Sequence, residues 1–306
     1  MLKRADPELG FFAAEATRRA LPVLLACLLL AATAAAQASP NSVEAYAEAI
    51  RQSTVAGQIT AMEHYLTVAE NGILKQDALE VLIWDYTRMG SAGHVKERSR
   101  ELQQLDPANP MAIAELADQS PASFRKTQKG KPYSEDKAER ARINDLNAAL
   151  VALENLRKPE GMGAGDFAAL RRHLEAKLEG MLGLAYVDRE QYQEAKTPLQ
   201  QAAASDASNA QYAYGLGLAL LLAKDSDPGR AFFYLARAVD LTQGTSQGEQ
   251  IAEFARKSYH KAGGKDADWN GFLIAAAVPV ERQPQTAIAS VSTSPSETKA
   301  PSSTAN

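Results

Sequence analysis

The chain has 306 residues, 45% of them hydrophobic and 23% charged, with a formal net charge of -4. That is long enough to bury one or two sizeable cores and too apolar for a chain disordered throughout. The lack of a basic excess argues against nucleic acid as a partner, because neutralising phosphates takes Lys and Arg. Aromatics make up only 7% and Ala is abundant, a composition that suits closely packed helices better than sheets rich in β-branched and aromatic residues.

The first segment reads as an export signal, residues 1–38. Arg18 and Arg19 precede an apolar run that ends at Ala36-Gln37-Ala38, a small-x-small cleavage site, which predicts a mature chain beginning at Ser39. Residues 1–17 make a long leader, and translation is expected to start downstream of Met1. Three other readings stay open: a retained helical anchor, lipidation at Cys27 within Leu24-Leu25-Ala26-Cys27, and twin-arginine export through Thr17-Arg18-Arg19. Cys27 is the only cysteine, so cleavage after Ala38 leaves no thiol for a disulfide, a zinc site or a nucleophile.

Residues 39–117 carry two helical hairpins. Val43, Tyr46, Ala47 and Ile50 share one helical face, Gly57 is expected to break the pattern, and Ala61, Tyr65, Leu66 and Val68 form a second face. Leu79, Leu82, Ile83 and Tyr86 follow at helical spacing, Gly90 and Gly93 are expected to turn the chain, and residues 95–105 form the partner helix, stopped by Asp106-Pro107 and Pro110. Ala61 to Val95, Tyr65 to Ser99 and Val68 to Leu102 are each 34 residues apart, a common period and phase of the kind that marks stacked repeats.

Residues 110–117 suit another first helix, whereas 118–135 is polar, with Pro121, Gly130 and Pro132, and reads as an inserted loop. Helix is predicted from about Asp136 through Leu156, with a stop at residues 159–165 and a new helix capped by Asp166. Two closely related hairpins follow within 136–243, at 176–209 and 210–243. Leu182-Gly183, Tyr186, Ala195, Leu199 and Ala202 are answered by Leu216-Gly217, Leu220, Ala231, Leu235 and Ala238. The offset is 34 in the first helix and 36 in the second.

Leu182-Gly183-Leu184-Ala185-Tyr186, then Tyr192, Ala195, Leu199 and Ala202, resembles the tetratricopeptide repeat of secreted bacterial proteins. The resemblance implies an all-α superhelix of stacked hairpins in which Gly and Ala let paired helices approach while Tyr and Leu fill the space between hairpins. Residues 244–281 supply a capping helix and a short apolar segment over 269–278, since an array needs a polar outer side on its last element. Residues 282–306, rich in Ser, Thr, Pro and Ala, are expected to be disordered.

No catalytic or metal constellation converges in sequence. His64, His94, His173 and His260 are dispersed, Gly161-Met162-Gly163-Ala164-Gly165 has neither the strand nor the Lys-Ser/Thr of a phosphate loop, and Gly215-Leu216-Gly217 lies inside a helix. No cofactor, metal or small-molecule substrate is expected. The resemblance instead implies a protein or peptide partner held on the first helices of the hairpins, with Tyr46, Ile50, Asp77, Glu80, Trp84, Thr87, Arg88, Lys177, Asp188, Gln211, Tyr214, Leu218 and Leu221 exposed there. Trp84, an aromatic flanked by charge, is the strongest anchor candidate, and packing between hairpins is its alternative. The expected function is an exported scaffold without catalysis. The alternatives are a structural subunit that buries its Tyr214 to Leu222 face against another chain, and an accessory enzyme served by the 118–135 insertion.

Overall fold

A computed structural model describes residues 40–117 and 133–278. The expected export signal with Cys27 and its Ala36/Ala38/Ser39 cleavage site, most of the 118–135 stretch expected as an inserted loop, and the 282–306 tail lie outside the described residues; residues 133–135 of that stretch are helical rather than loop. Among the described residues there are twelve helices and no strand. They are α1 (Pro40–Ile50), α2 (Val55–Leu66), α3 (Ile73–Arg88), α4 (Ala92–Leu105), α5 (Pro110–Leu116), α6 (Tyr133–Glu154), α7 (Ala164–Asp188), α8 (Tyr192–Ser205), α9 (Ala210–Leu222), α10 (Pro228–Leu241), α11 (Ser246–Lys261) and α12 (Asp266–Ala277). The protein is all-α, with chain-adjacent helices packed in pairs.

The helices belong to two compact units. The first takes the described residues up to His94 together with Pro159–Met162, and the second takes Val95–Lys158 and Gly163 onward. Unit 1 is built on α1 to α3. The buried face of α1 is Ser42, Tyr46 and Ala49 rather than the predicted set, and Val43 is 47% exposed. Tyr46 meets Tyr65 of α2 edge-on at 5.1 Å between ring centroids. Gly57 does not break α2 but lies in its first turn, where its N–H donates to the Thr54 Oγ1 cap at 3.1 Å. The chain break falls just before Thr54.

Unit 2 shows the repeat in atomic terms. A Cβ on Gly183 would lie 2.4 Å from Leu199 Cγ and 3.1 Å from the Leu199 backbone nitrogen; on Gly217 it would lie 2.8 Å from Leu235 Cγ and 3.1 Å from the Leu235 nitrogen. The same Gly-on-Leu contact therefore closes α7 on α8 and α9 on α10. Ala195, Ala202, Ala231 and Ala238 are fully buried along these seams, and small residues are what permit such close backbones. α7 runs unbroken for 25 residues, so residue 176 falls inside it, and Gly163, not Asp166, precedes its first turn. Asp166 instead places negative charge in that turn, favourable at a helix N-terminus.

The turns repeat as well. Tyr86 O accepts from Ser91 N–H and Tyr186 O from Gln191 N–H, both at 2.9 Å. Gly90 and Glu190 occupy the same place in the two turns with φ of +69° and +59°. Gly90 thus turns the chain without Gly93, which is already in α4. Asn109 and Asn209 cap α5 and α9 through the same side-chain oxygen, each after an Asp side chain that accepts from the backbone two residues on. At the C-terminal end, Phe232 of α10, Tyr259 of α11 and Trp269 and Phe272 of α12 form one aromatic cluster. The apolar segment expected over 269–278 is thus the packed part of a helix.

Candidate partner-binding faces

In unit 1, α3 is buried from Asp77 to Tyr86 on every side. Four residues expected to be exposed are inside: Asp77 (2% exposed), Glu80 (2%) and Trp84 (9%) on α3, and Tyr46 on α1. The Tyr46 hydroxyl donates to Glu160 O at 2.9 Å, and Glu80 Oε1 accepts from Gln76 Nε2 at 3.0 Å. The Arg88 guanidinium stands 5.9 Å from the Trp84 ring centroid while bonding Asp85 at 2.5 Å. The Thr87 hydroxyl turns back on its own helix, donating to Ile83 O at 2.7 Å. A helix whose polar positions are also buried shows no free face, whatever its periodicity suggests.

In unit 2, Lys177 is not free. Its Nζ lies 2.5 Å from Glu115 Oε2, and His173 Nε2 lies 3.2 Å from Glu115 Oε1. α5 delivers the carboxylate and one face of α7 delivers both nitrogens, four residues apart. Burial works to raise the Glu115 carboxyl, but the hydrogen bond from His173 and the charge and hydrogen bond of Lys177 outweigh it and hold the group below the usual carboxylate range. Tyr212 is also buried, and loss of solvation, reinforced by Asp206 and Glu115, pushes its phenol far up. The neighbouring Gly180 has no room for a Cβ, which would fall 2.2 Å from the Tyr212 ring.

Next to this tied-up polar set lies a half-buried aromatic strip. Tyr214 of α9 meets Phe254 of α11 edge-on at 6.1 Å, and Tyr192 and Leu221 pack on the same core. Asp188, Gln211 and Tyr214 are all half-buried. Leu218, expected to be exposed, is buried, and so are Leu216, Ala219 and Leu220. Most of the Tyr214 to Leu222 stretch is thus consumed inside unit 2, leaving Leu222, 47% exposed, at its end. Packing of α9 against α7, α8 and α10 accounts for this, since a helix flanked on three sides keeps few outward positions.

Sequence reasoning missed Glu115, His173 and Phe254. Each becomes meaningful only beside a residue from a distant helix, and Phe254 alone carried a usable signal, as an aromatic on the first helix after the last hairpin. Between α10, α11 and α12 there is also an open pocket of about 670 Å³ with Trp269 and Leu273 against Arg256 and His260. Asp266 Oδ1 lies 3.2 Å from both Arg256 Nε and His260 Nε2. Among the described residues no group of three His, Cys, Asp or Glu is placed to hold a metal, and no helix is long and apolar enough to cross a membrane. No protein-family model matches the chain, and no curated protein matches it either.

Proposed function

We propose that the protein is an exported tetratricopeptide-type scaffold that binds a protein or peptide through the face of unit 2 bearing Asp188, Gln211 and Tyr214. The supporting observation is the Tyr214–Phe254 pair with Tyr192 on the same core: large, rigid rings left half-covered on neighbouring elements. Aromatic anchors of this kind supply most of the binding energy of protein interfaces. The role is read as binding rather than catalysis, with His173 and Lys177 of α7 both committed to Glu115.

Two measurements test this reading. Affinity capture from an envelope extract should retain a specific partner that Gln211→Arg with Tyr214→Ser loses while its circular dichroism is unchanged. A control change at the exposed Val151 (Val151→Ser) should leave capture intact. Equal capture by all three proteins removes the assigned face. Amino-terminal sequencing of the protein recovered from the envelope fraction should begin at Ser39; an uncleaved chain in the cytoplasm contradicts export.

A further inference from the structure

Unit 1 contains four residues that come from far along the chain, and they are held the way a receptor holds a ligand. Glu160 N–H donates to Asp77 Oδ2 at 3.0 Å, Tyr46 OH donates to Glu160 O at 2.9 Å, and Gln58 Nε2 donates to Gly161 O at 3.1 Å. One side chain from each of α3, α1 and α2 thus addresses consecutive main-chain groups, across sequence separations of 83, 114 and 103 residues. The captured piece is a β-turn closed by Met162 N–H donating to Pro159 O at 3.2 Å. Gly161 holds φ +87° at its third position, the signature of a type II turn.

The cradle also specifies residue types. A Cβ on Gly161 would lie 2.6 Å from Ile50 Cγ2, so glycine is required by space as well as by φ. Pro159 and Met162 are buried, whereas the Glu160 side chain points to solvent. The reading frame is therefore Pro-x-Gly-Met. Asp77 is itself 2% exposed, and withdrawing the Glu160 N–H would take a donor from a buried carboxylate, a costly change. The cradle is built to be filled.

We infer that α1 to α3 form a recognition site for a Pro-x-Gly-Met turn, occupied in cis by residues 159–162 and open to the same turn from a second copy of this chain. A second copy carries the required sequence by definition, and exchange of an identical element between copies needs no contact that the cis form lacks. Residues 95–158 separate the cradle from its turn, and closing a chain of that length favours the cis arrangement only through effective concentration, on the order of millimolar. The site is separate from the Tyr214 face, so the two are tested independently.

The test empties the cradle in the full-length protein with Pro159→Ser, Gly161→Ser and Met162→Ser, and titrates it with a fluorescent Lys-Pro-Glu-Gly-Met-Gly probe followed by anisotropy. The variant should bind the probe on the order of 100-fold more tightly than wild type, whose own turn competes, and a probe with Ala in place of Gly should not bind. No binding to a variant that keeps its helical circular dichroism, or equal binding of the two probes, overturns the site. If the triple variant loses helicity, Gly161→Ala alone replaces it in the same titration with the same criteria. Mixing the triple variant with a Tyr46→Phe/Asp77→Ala copy pairs an intact cradle with an intact turn. Light scattering should then show a mixed dimer absent from either protein alone, and monomers throughout would overturn occupancy by a second copy.

Discussion

The two units are stabilised by different kinds of information. In unit 2 the contact that closes α7 on α8 is made again where α9 meets α10, with Gly183 on Leu199 and Gly217 on Leu235, so a short pattern written twice builds two hairpins. Unit 1 relies on contacts that occur once: the Tyr46, Gln58 and Asp77 hydrogen bonds to a turn drawn from the far side of residue 158. Repeated contacts tolerate little change at small residues, whereas unique contacts can be made from whatever the chain brings to them.

Unit 2 also holds contacts that occur once, and breaking the buried Glu115 ion pair among them should have the largest effect. Lys177→Met leaves Glu115 buried with only His173 beside it and should destabilise the protein by about 3 kcal/mol, read as a lower urea midpoint at neutral pH. The same ion pair has a pH signature. Because the Glu115 carboxyl is held below its ordinary 4.5 in the folded state, its contribution is fully present above that value and is lost as pH falls through the lower, folded one. Glu115→Gln should therefore flatten the acid limb of stability against pH below about 4.5; an unchanged acid limb would mean that the carboxylate contributes nothing there.

The repeated contact is broken by Gly183→Ala. Its Cβ meets both the Leu199 side chain and the Leu199 backbone nitrogen, and relief by rotamer change alone is blocked, so a loss of about 2 kcal/mol is expected. Gly217→Ala should cost a similar amount, and a clear inequality in urea melts would show that the two hairpins do not share their closing contact. The smallest change sharpens the comparison between turns. Glu190 holds a φ of +59° where its counterpart Gly90 is glycine, so Glu190→Gly should raise stability by up to about 1 kcal/mol, visible as a small rise in thermal midpoint.

Much of the fold was legible because helices are local objects. The recurrence of Leu182-Gly183 and Ala195 at Leu216-Gly217 and Ala231 identifies two hairpins without any knowledge of their neighbours, and Pro110 and Pro228 fall at helix starts, where a missing N–H does no harm. Where a break was misplaced, at Gly57, the glycine serves a cap that lies three residues upstream. The candidate faces were far less legible. Tyr46, Glu80 and Trp84 have the chemistry of a binding surface, yet they are buried, because covering α3 takes residues whose approach no 34-residue period records.

By itself the sequence determined an all-helical chain of paired helices, with the positions of glycine and alanine fixing how closely α7 to α10 approach, since 3.6-residue periodicity and side-chain size act within a few turns of chain. Only the tertiary structure decided which polar residues are spent indoors. Glu115 finds His173 and Lys177, and Asp77 finds the Glu160 amide, because a buried charge must be matched by donors and those donors lie dozens of residues away, at distances that spacing along the chain does not encode.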